Sequence, residues 1–211
     1  MRIFILLLLG SFFLFSCNQK KEEPNNKKSF VVKGDTILTI KPEKTINTYD
    51  PVDVSPMDMS YFPADYPKIK MDKPDMNPPL ARVVYSRPHL QGRKIFHDVL
   101  KYGEPWRLGA NESTELDFYS DVTIQNKKIK AGRYILYAIP DQDKWTIVLN
   151  NNIDSWGLHQ VPAKDIARFI ITPGKINSSI EYFTMIFQQN TTGADLIMVW
   201  DNVEAKLPIV F

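Results

Sequence analysis

From Leu80 to Phe211, apolar residues recur at every second position in short runs closed by turn residues, the pattern of half-buried strands. Ala81 to Arg87 opens the series. Thr114 to Ile124 follows with Leu116 and Phe118 on one face, then a tight turn at Gln125 to Lys127. Ile129 leads to Gly132, and Arg133 to Ile139 runs on until Pro140 and Asp141. Trp145 to Asn150 alternates cleanly, and Ile166 to Thr172 stops at Pro173 and Gly174. Ser179 to Gln188 aligns Phe183, Met185 and Phe187, and Leu196 to Trp200 is expected to turn at Asp201 and Asn202 into a last strand, Val203 to Val210. One interval breaks the rhythm. Within Arg93 to Lys101, Ile95, Phe96, Val99 and Leu100 share a helical face, and Gly103 is placed to end a short helix. Eight or nine short strands and one short helix predict an all-β fold, a β-sandwich of jelly-roll or immunoglobulin-like kind, with Trp145, Phe183, Phe187 and Trp200 in its core.

Upstream the alternation lapses. Nine of the 15 prolines lie before Leu80 and four of the seven methionines fall between Met57 and Met76, ends included, so residues 18–79 are expected to form a tether and an extended arm, and 80–211 the sandwich. Phe30 to Ile40 could pair as a small hairpin or edge strand around Gly34 and Asp35. Pro51 to Pro67 is expected to lie against the folded domain, because Tyr61, Phe62 and Tyr66 are costly to leave in water.

The first 17 residues change the picture again. Arg2, the apolar run Ile3 to Phe15 and the small Ser16 form an export signal, and Leu14-Phe15-Ser16-Cys17 resembles the lipobox of bacterial lipoproteins. That resemblance implies cleavage before Cys17, acylation of its thiol and anchoring in a membrane. Asn18 to Glu23, with Lys20 and Lys21 before paired glutamates, resembles the signal that carries some lipoproteins to the outer face of the outer membrane; anchoring at its periplasmic face is the alternative. Asp35, Thr36 and Ile37 resemble a short O-glycosylation acceptor. Cys17 is the only cysteine, so no internal disulfide can form in an oxidising compartment, and packing alone must stabilise the fold. At 44% hydrophobic and 12% aromatic, the chain can build one sizeable core. A formal net charge of +2, dispersed along the chain, leaves no electrostatic footprint for nucleic acid.

Candidate chemistry concentrates in Val83 to Phe118. Arg87, Arg93 and Arg107 lie there beside Tyr85 and Trp106, with Asn111 and Glu112 at the edge of an apolar run. Carrying the strand phase of Thr114, Leu116 and Phe118 back to Glu112 puts this carboxylate on the core side. A guanidinium is its natural partner there. A filled ion pair would merely pin the loops. A spare guanidinium beside Trp106 or Tyr85 would suit an anionic or saccharide ligand.

The motifs YSRP, GRKIF, WRLGANESTE, AGRYILYAIP, KWTIVLN followed by WG, and LIMVWDNVEAKLPI resemble a family of secreted bacterial proteins known as domain of unknown function 2911. The resemblance implies a β-rich, extracytoplasmic, often lipid-anchored domain. His97, and Leu158 to Gln160, depart from the family pattern.

Catalytic patterns are scarce. No GxSxG elbow, HExxH motif or glycine-rich phosphate loop occurs, and His89, His97 and His159 are scattered. No metal or cofactor is called for. Glu112 with Glu115 or Asp117 is the pair a glycoside hydrolase could use, but the strand phase turns Glu115 and Asp117 away from Glu112. The favoured expectation is a lipid-anchored envelope binding or interaction domain. An envelope glycan or ester hydrolase and a structural module without a ligand are the alternatives.

Overall fold

Alternation becomes strand at ten places among residues 55–211, the part of the chain that the computed structural model describes. In chain order these are β1 (Met57–Phe62), β2 (Ala81–Ser86), β3 (Thr114–Phe118), β4 (Val122–Ile124), β5 (Lys127–Ile129), β6 (Gly132–Pro140), β7 (Trp145–Asn150), β8 (Asp165–Ile171), β9 (Gly174–Gln189) and β10 (Gly193–Val210). A seven-residue helix, α1 (Tyr66–Asp72), follows β1. Antiparallel pairing gives a six-stranded sheet ordered β1-β2-β3-β6-β7-β8 and a four-stranded sheet ordered β5-β4-β10-β9. The two make the expected β-sandwich.

Period-two alternation sends one side of each strand inward. Ala81, Val83 and Tyr85 of β2, Leu116 and Phe118 of β3, and Trp145, Ile147 and Leu149 of β7 are buried from the large sheet. Phe183, Met185 and Phe187 of β9, with Leu196, Met198 and Trp200 of β10, meet them from the small one. The four aromatics expected in the core are all there.

A sandwich has two open sides, and side chains seal both. At the β1/β9 side, Arg87 reaches across to Phe183 O, Thr184 Oγ1 and Asp58. At the β8 side, Gln125 Nε2 donates to Ile170 O at 2.6 Å and Lys127 Nζ to Ile166 O at 3.5 Å. Both cap carbonyls of an edge strand that would otherwise invite another chain.

Four expectations need correction. Met57–Phe62 was assigned to an extended arm, yet it pairs with β2 along its whole length, Met57 opposite Ser86 through Phe62 opposite Ala81. Among the described residues the sandwich therefore includes a strand upstream of Leu80. Thr114 to Ile124 is two strands in different sheets, because the chain bends at Tyr119 to Asp121. Asp201 and Asn202 make no turn: β10 continues through a register shift with Asp201 at φ 53°, so the bulge absorbs the left-handed residue without ending the strand. The helix in Arg93 to Lys101 shrinks to one turn, Ile95–Val99, which closes with Leu100 N–H donating to Ile95 O at 2.7 Å. Its apolar face does pack on the core as expected. The signal segment, Cys17, the tether and the Phe30 to Ile40 hairpin lie outside the described residues.

Candidate functional site

The seven residues singled out in the sequence separate into two groups. Tyr85 is buried, and its hydroxyl is paired with the Met185 backbone, accepting from the N–H at 2.9 Å. Burial is the main reason its pKa is raised. Arg87 is spent on Asp58, Thr184 Oγ1 and Phe183 O, and its guanidinium lies 5.8 Å from the Tyr182 ring centre. Arg93 folds back on its own loop, donating to Leu90 O and His89 O. Trp106 is also buried, its Nε1 donating to Gly109 O at 3.2 Å. None of these offers a free face or a spare cation near Glu112.

Glu112 is not on the core side. β3 begins only at Thr114, and Glu112 lies in the bend that precedes it, so the strand phase does not extend back to this carboxylate. Glu112 is exposed, and among the described residues it forms no ion pair. The expected Arg–Glu cluster therefore does not form. The carboxylate that the arginines hold is Asp117, on the outer face of β3, bonded by Arg82 Nε and Arg133 Nε at 2.9 Å each.

Arg107, Asn111 and Glu112 remain together at a different place. A cleft of about 380 Å³ opens on the outer side of the large sheet, lined by Met57, Val84, Glu112, Ser113, Glu115, Asp154, Ser155 and Trp156. Its floor follows from register: Val84 lies opposite Met59 on one side and Glu115 on the other, so these outward positions form one row. One wall is the lead-in to β3, which carries Glu112 and Ser113. The other is the connection between β7 and β8, which carries Asp154, Ser155 and Trp156.

That connection is held by directed bonds rather than by burial. Arg107 Nη1 donates to Trp156 O at 3.0 Å, the Ser113 and Ser155 hydroxyls share a hydrogen bond at 3.0 Å, and Asn150 Nδ2 donates to Val161 O at 2.9 Å. Partial burial lowers the Arg107 pKa, and among the described residues this arginine has no acidic partner, so its role here is to hold a carbonyl. Gly157 completes the fit. Its φ is +76°, and a Cβ there would run into Ser113 Oγ and stand 3.2 Å from the Arg107 side chain. Gly157→Ala is expected to cost about 1–3 kcal/mol and to displace Trp156. Chemical denaturation checks this, and a parent-like midpoint would contradict the packing described.

The chemistry of the cleft is set by three carboxylates and one ring. Glu115 Oε2 is paired with Arg133 Nη1 at 3.2 Å. Glu112 and Asp154 have no ion pair among the described residues, and both are exposed. The three do not converge on a metal: no group of His, Cys, Asp or Glu among the described residues could hold one. Trp156 is 55% exposed, whereas the other three tryptophans are buried. Hydroxyls of Ser113 and Ser155 add small polar contacts. Such a surface suits a polyhydroxylated ligand, with carboxylates accepting from hydroxyls and an indole face covering the apolar side of a ring. It does not suit an anion.

The sequence reading missed Met57, Asp154, Ser155 and Trp156. Trp156-Gly157 was the available signal, a tryptophan directly after the mainly polar run from Asn150 to Ser155, where no strand period can bury it.

Residues 70–209 match the family model described as Protein of unknown function (DUF2911), and the chain belongs to that family. The matched span contains every cleft residue except Met57. No curated protein and no solved structure matches the chain.

Proposed function

We propose that the protein is an exported, lipid-anchored binding domain of the cell envelope, and that its ligand is a saccharide seated in the cleft beside Trp156. One observation carries the reading: the only exposed tryptophan among the described residues stands at the rim of a cleft with two carboxylates free of ion pairs. The arginines expected to hold the ligand are committed to protein acceptors, so the anionic alternative loses its support. The saccharide alternative keeps its aromatic platform, at Trp156 instead of Trp106 or Tyr85.

Carboxylates on both walls also raise the hydrolase reading. A glycosidase needs one carboxyl shielded from solvent to act as an acid opposite a second group. Here Glu115 is bound to Arg133, and Glu112 and Asp154 stand in solvent. Binding without turnover is therefore the function that the geometry supports best. Isothermal titration of the mature protein with neutral oligosaccharides tests it, with reducing-end release assayed on the same samples. Saturable heat with no new reducing ends is the expected result; turnover would favour the hydrolase.

The anchoring half of the proposal rests on Leu14-Phe15-Ser16-Cys17. Intact-mass measurement of the protein purified from membranes should give a chain that starts at Cys17 and carries acyl groups. An unmodified start elsewhere would end that half of the proposal and leave the cleft untouched.

A further inference from the structure

We infer that the saccharide recognised by the cleft is the headgroup of a neutral glycolipid, and that the cleft face rests on the bilayer holding the protein's own anchor; this rests on the binding reading above. The apolar surface is the first support. The connection between β7 and β8 exposes Ile153, Leu158 and Val161 in addition to Trp156, with Leu158 66% exposed, and Met57 and Met59 are exposed on the neighbouring edge strand. So many large apolar side chains around one cleft mark an interaction surface. Tryptophan is the residue that settles at the membrane–water boundary, with one apolar and one polar side.

Position is the second support. Ser55, the first described residue, accepts a hydrogen bond from Asn111 Nδ2 at 3.2 Å, next to Glu112. Pro56 O is fixed by Arg87 N–H at 2.9 Å, and Met57 lines the cleft. The described chain thus begins at the rim of the cleft. Fully extended, the stretch from Cys17 to Ser55 spans at most ~135 Å. A domain held at that range meets the same bilayer at high effective concentration, so shallow insertion of a few side chains suffices.

Charge selects the lipid. Glu112 and Asp154 face outward without ion pairs among the described residues and would be repelled by an anionic headgroup. They would accept hydrogen bonds from the hydroxyls of a neutral sugar. The occupant is then a sugar ring over Trp156, with Leu158 and Ile153 dipping into the interface around it.

Vesicle flotation tests the inference on the mature chain from Asn18 onward, made without acyl groups. Three vesicle types are compared: phosphatidylcholine alone, phosphatidylcholine with glucosyl-diacylglycerol, and phosphatidylcholine with phosphatidylglycerol. The protein is expected to float with the glycolipid vesicles at least about tenfold more strongly than with either of the others. Leu158→Asp should lower that partition by about tenfold while leaving titration with a soluble neutral oligosaccharide unchanged. If the soluble sugar binds but glycolipid recruits no more than phosphatidylcholine, the membrane inference is overturned and the binding reading stands. Equal recruitment by all three vesicle types overturns the headgroup assignment. Failure to bind either sugar or vesicle overturns both readings.

Discussion

Trp106→Ala should lower the unfolding free energy by about 3–5 kcal/mol, the usual cost of emptying a large aromatic site in a core. The indole lies among three rings: Phe183 at 4.9 Å between centroids, Trp200 at 5.9 Å and Trp145 at 6.0 Å. These rings come from both sheets, so the cavity would open between the layers rather than at one strand end. Neighbours cannot collapse into it easily, because Trp145 and Trp200 are themselves fixed in strands. The backbone keeps the emptied site open: Trp106 and Ala138 exchange two hydrogen bonds, at 2.7 and 2.8 Å, which the substitution retains and which tie this loop to β6. Urea unfolding followed by far-ultraviolet circular dichroism measures the effect. A midpoint like the parent's would mean that the ring is not where the sandwich places it.

Trp156→Ala should behave in the opposite way. The side chain is mostly in water, and its loop is held through its carbonyl, which the substitution keeps. Stability should therefore stay within about 0.5 kcal/mol of the parent. Saccharide affinity should fall by roughly 30-fold, or about 2 kcal/mol, the loss typical when a central aromatic anchor is removed. Glu112→Gln should weaken binding without lowering stability, since among the described residues no ion pair depends on that carboxylate. An unchanged titration for Trp156→Ala would remove the cleft from consideration. Lost affinity together with a lowered midpoint would place the residue among the folding determinants instead.

Those two tryptophans show what the sequence could and could not reveal. Trp106 sits beside Arg107 in a segment dense with polar groups, and density alone suggested a site. Its ring instead meets Trp145 and Trp200, contacts made by residues far along the chain. Alternation served well wherever a strand has one wet face: Trp145, Ile147 and Leu149, or Phe183, Met185 and Phe187, are buried as their spacing requires. It failed where a strand starts late or a single residue turns left-handed. Glu112 lies in a bend before β3 begins, outside the phase that placed it inward, and Asp201 adds a bulge where a turn was expected. Pairing across the fold was equally hidden. Arg87 finds Asp58, a residue assigned to the arm, because β1 joins the edge of the sheet beside β2. Of the predicted site, Glu112 lines the cleft, Arg107 braces its wall through Trp156 O, Asn111 bonds Ser55 O beside it, and the rest went to the core and the edges.

The claim that the ligand site is the Trp156 cleft has a direct spectroscopic test, because the other three tryptophans are buried and only Trp156 is open to a collisional quencher. Acrylamide quenching of intrinsic fluorescence, measured with and without a saturating neutral oligosaccharide, reads that one ring. The account predicts an accessible fraction that the ligand protects and that is missing from Trp156→Phe. A ligand that binds by calorimetry yet leaves the quenching unchanged would put the site elsewhere on the molecule.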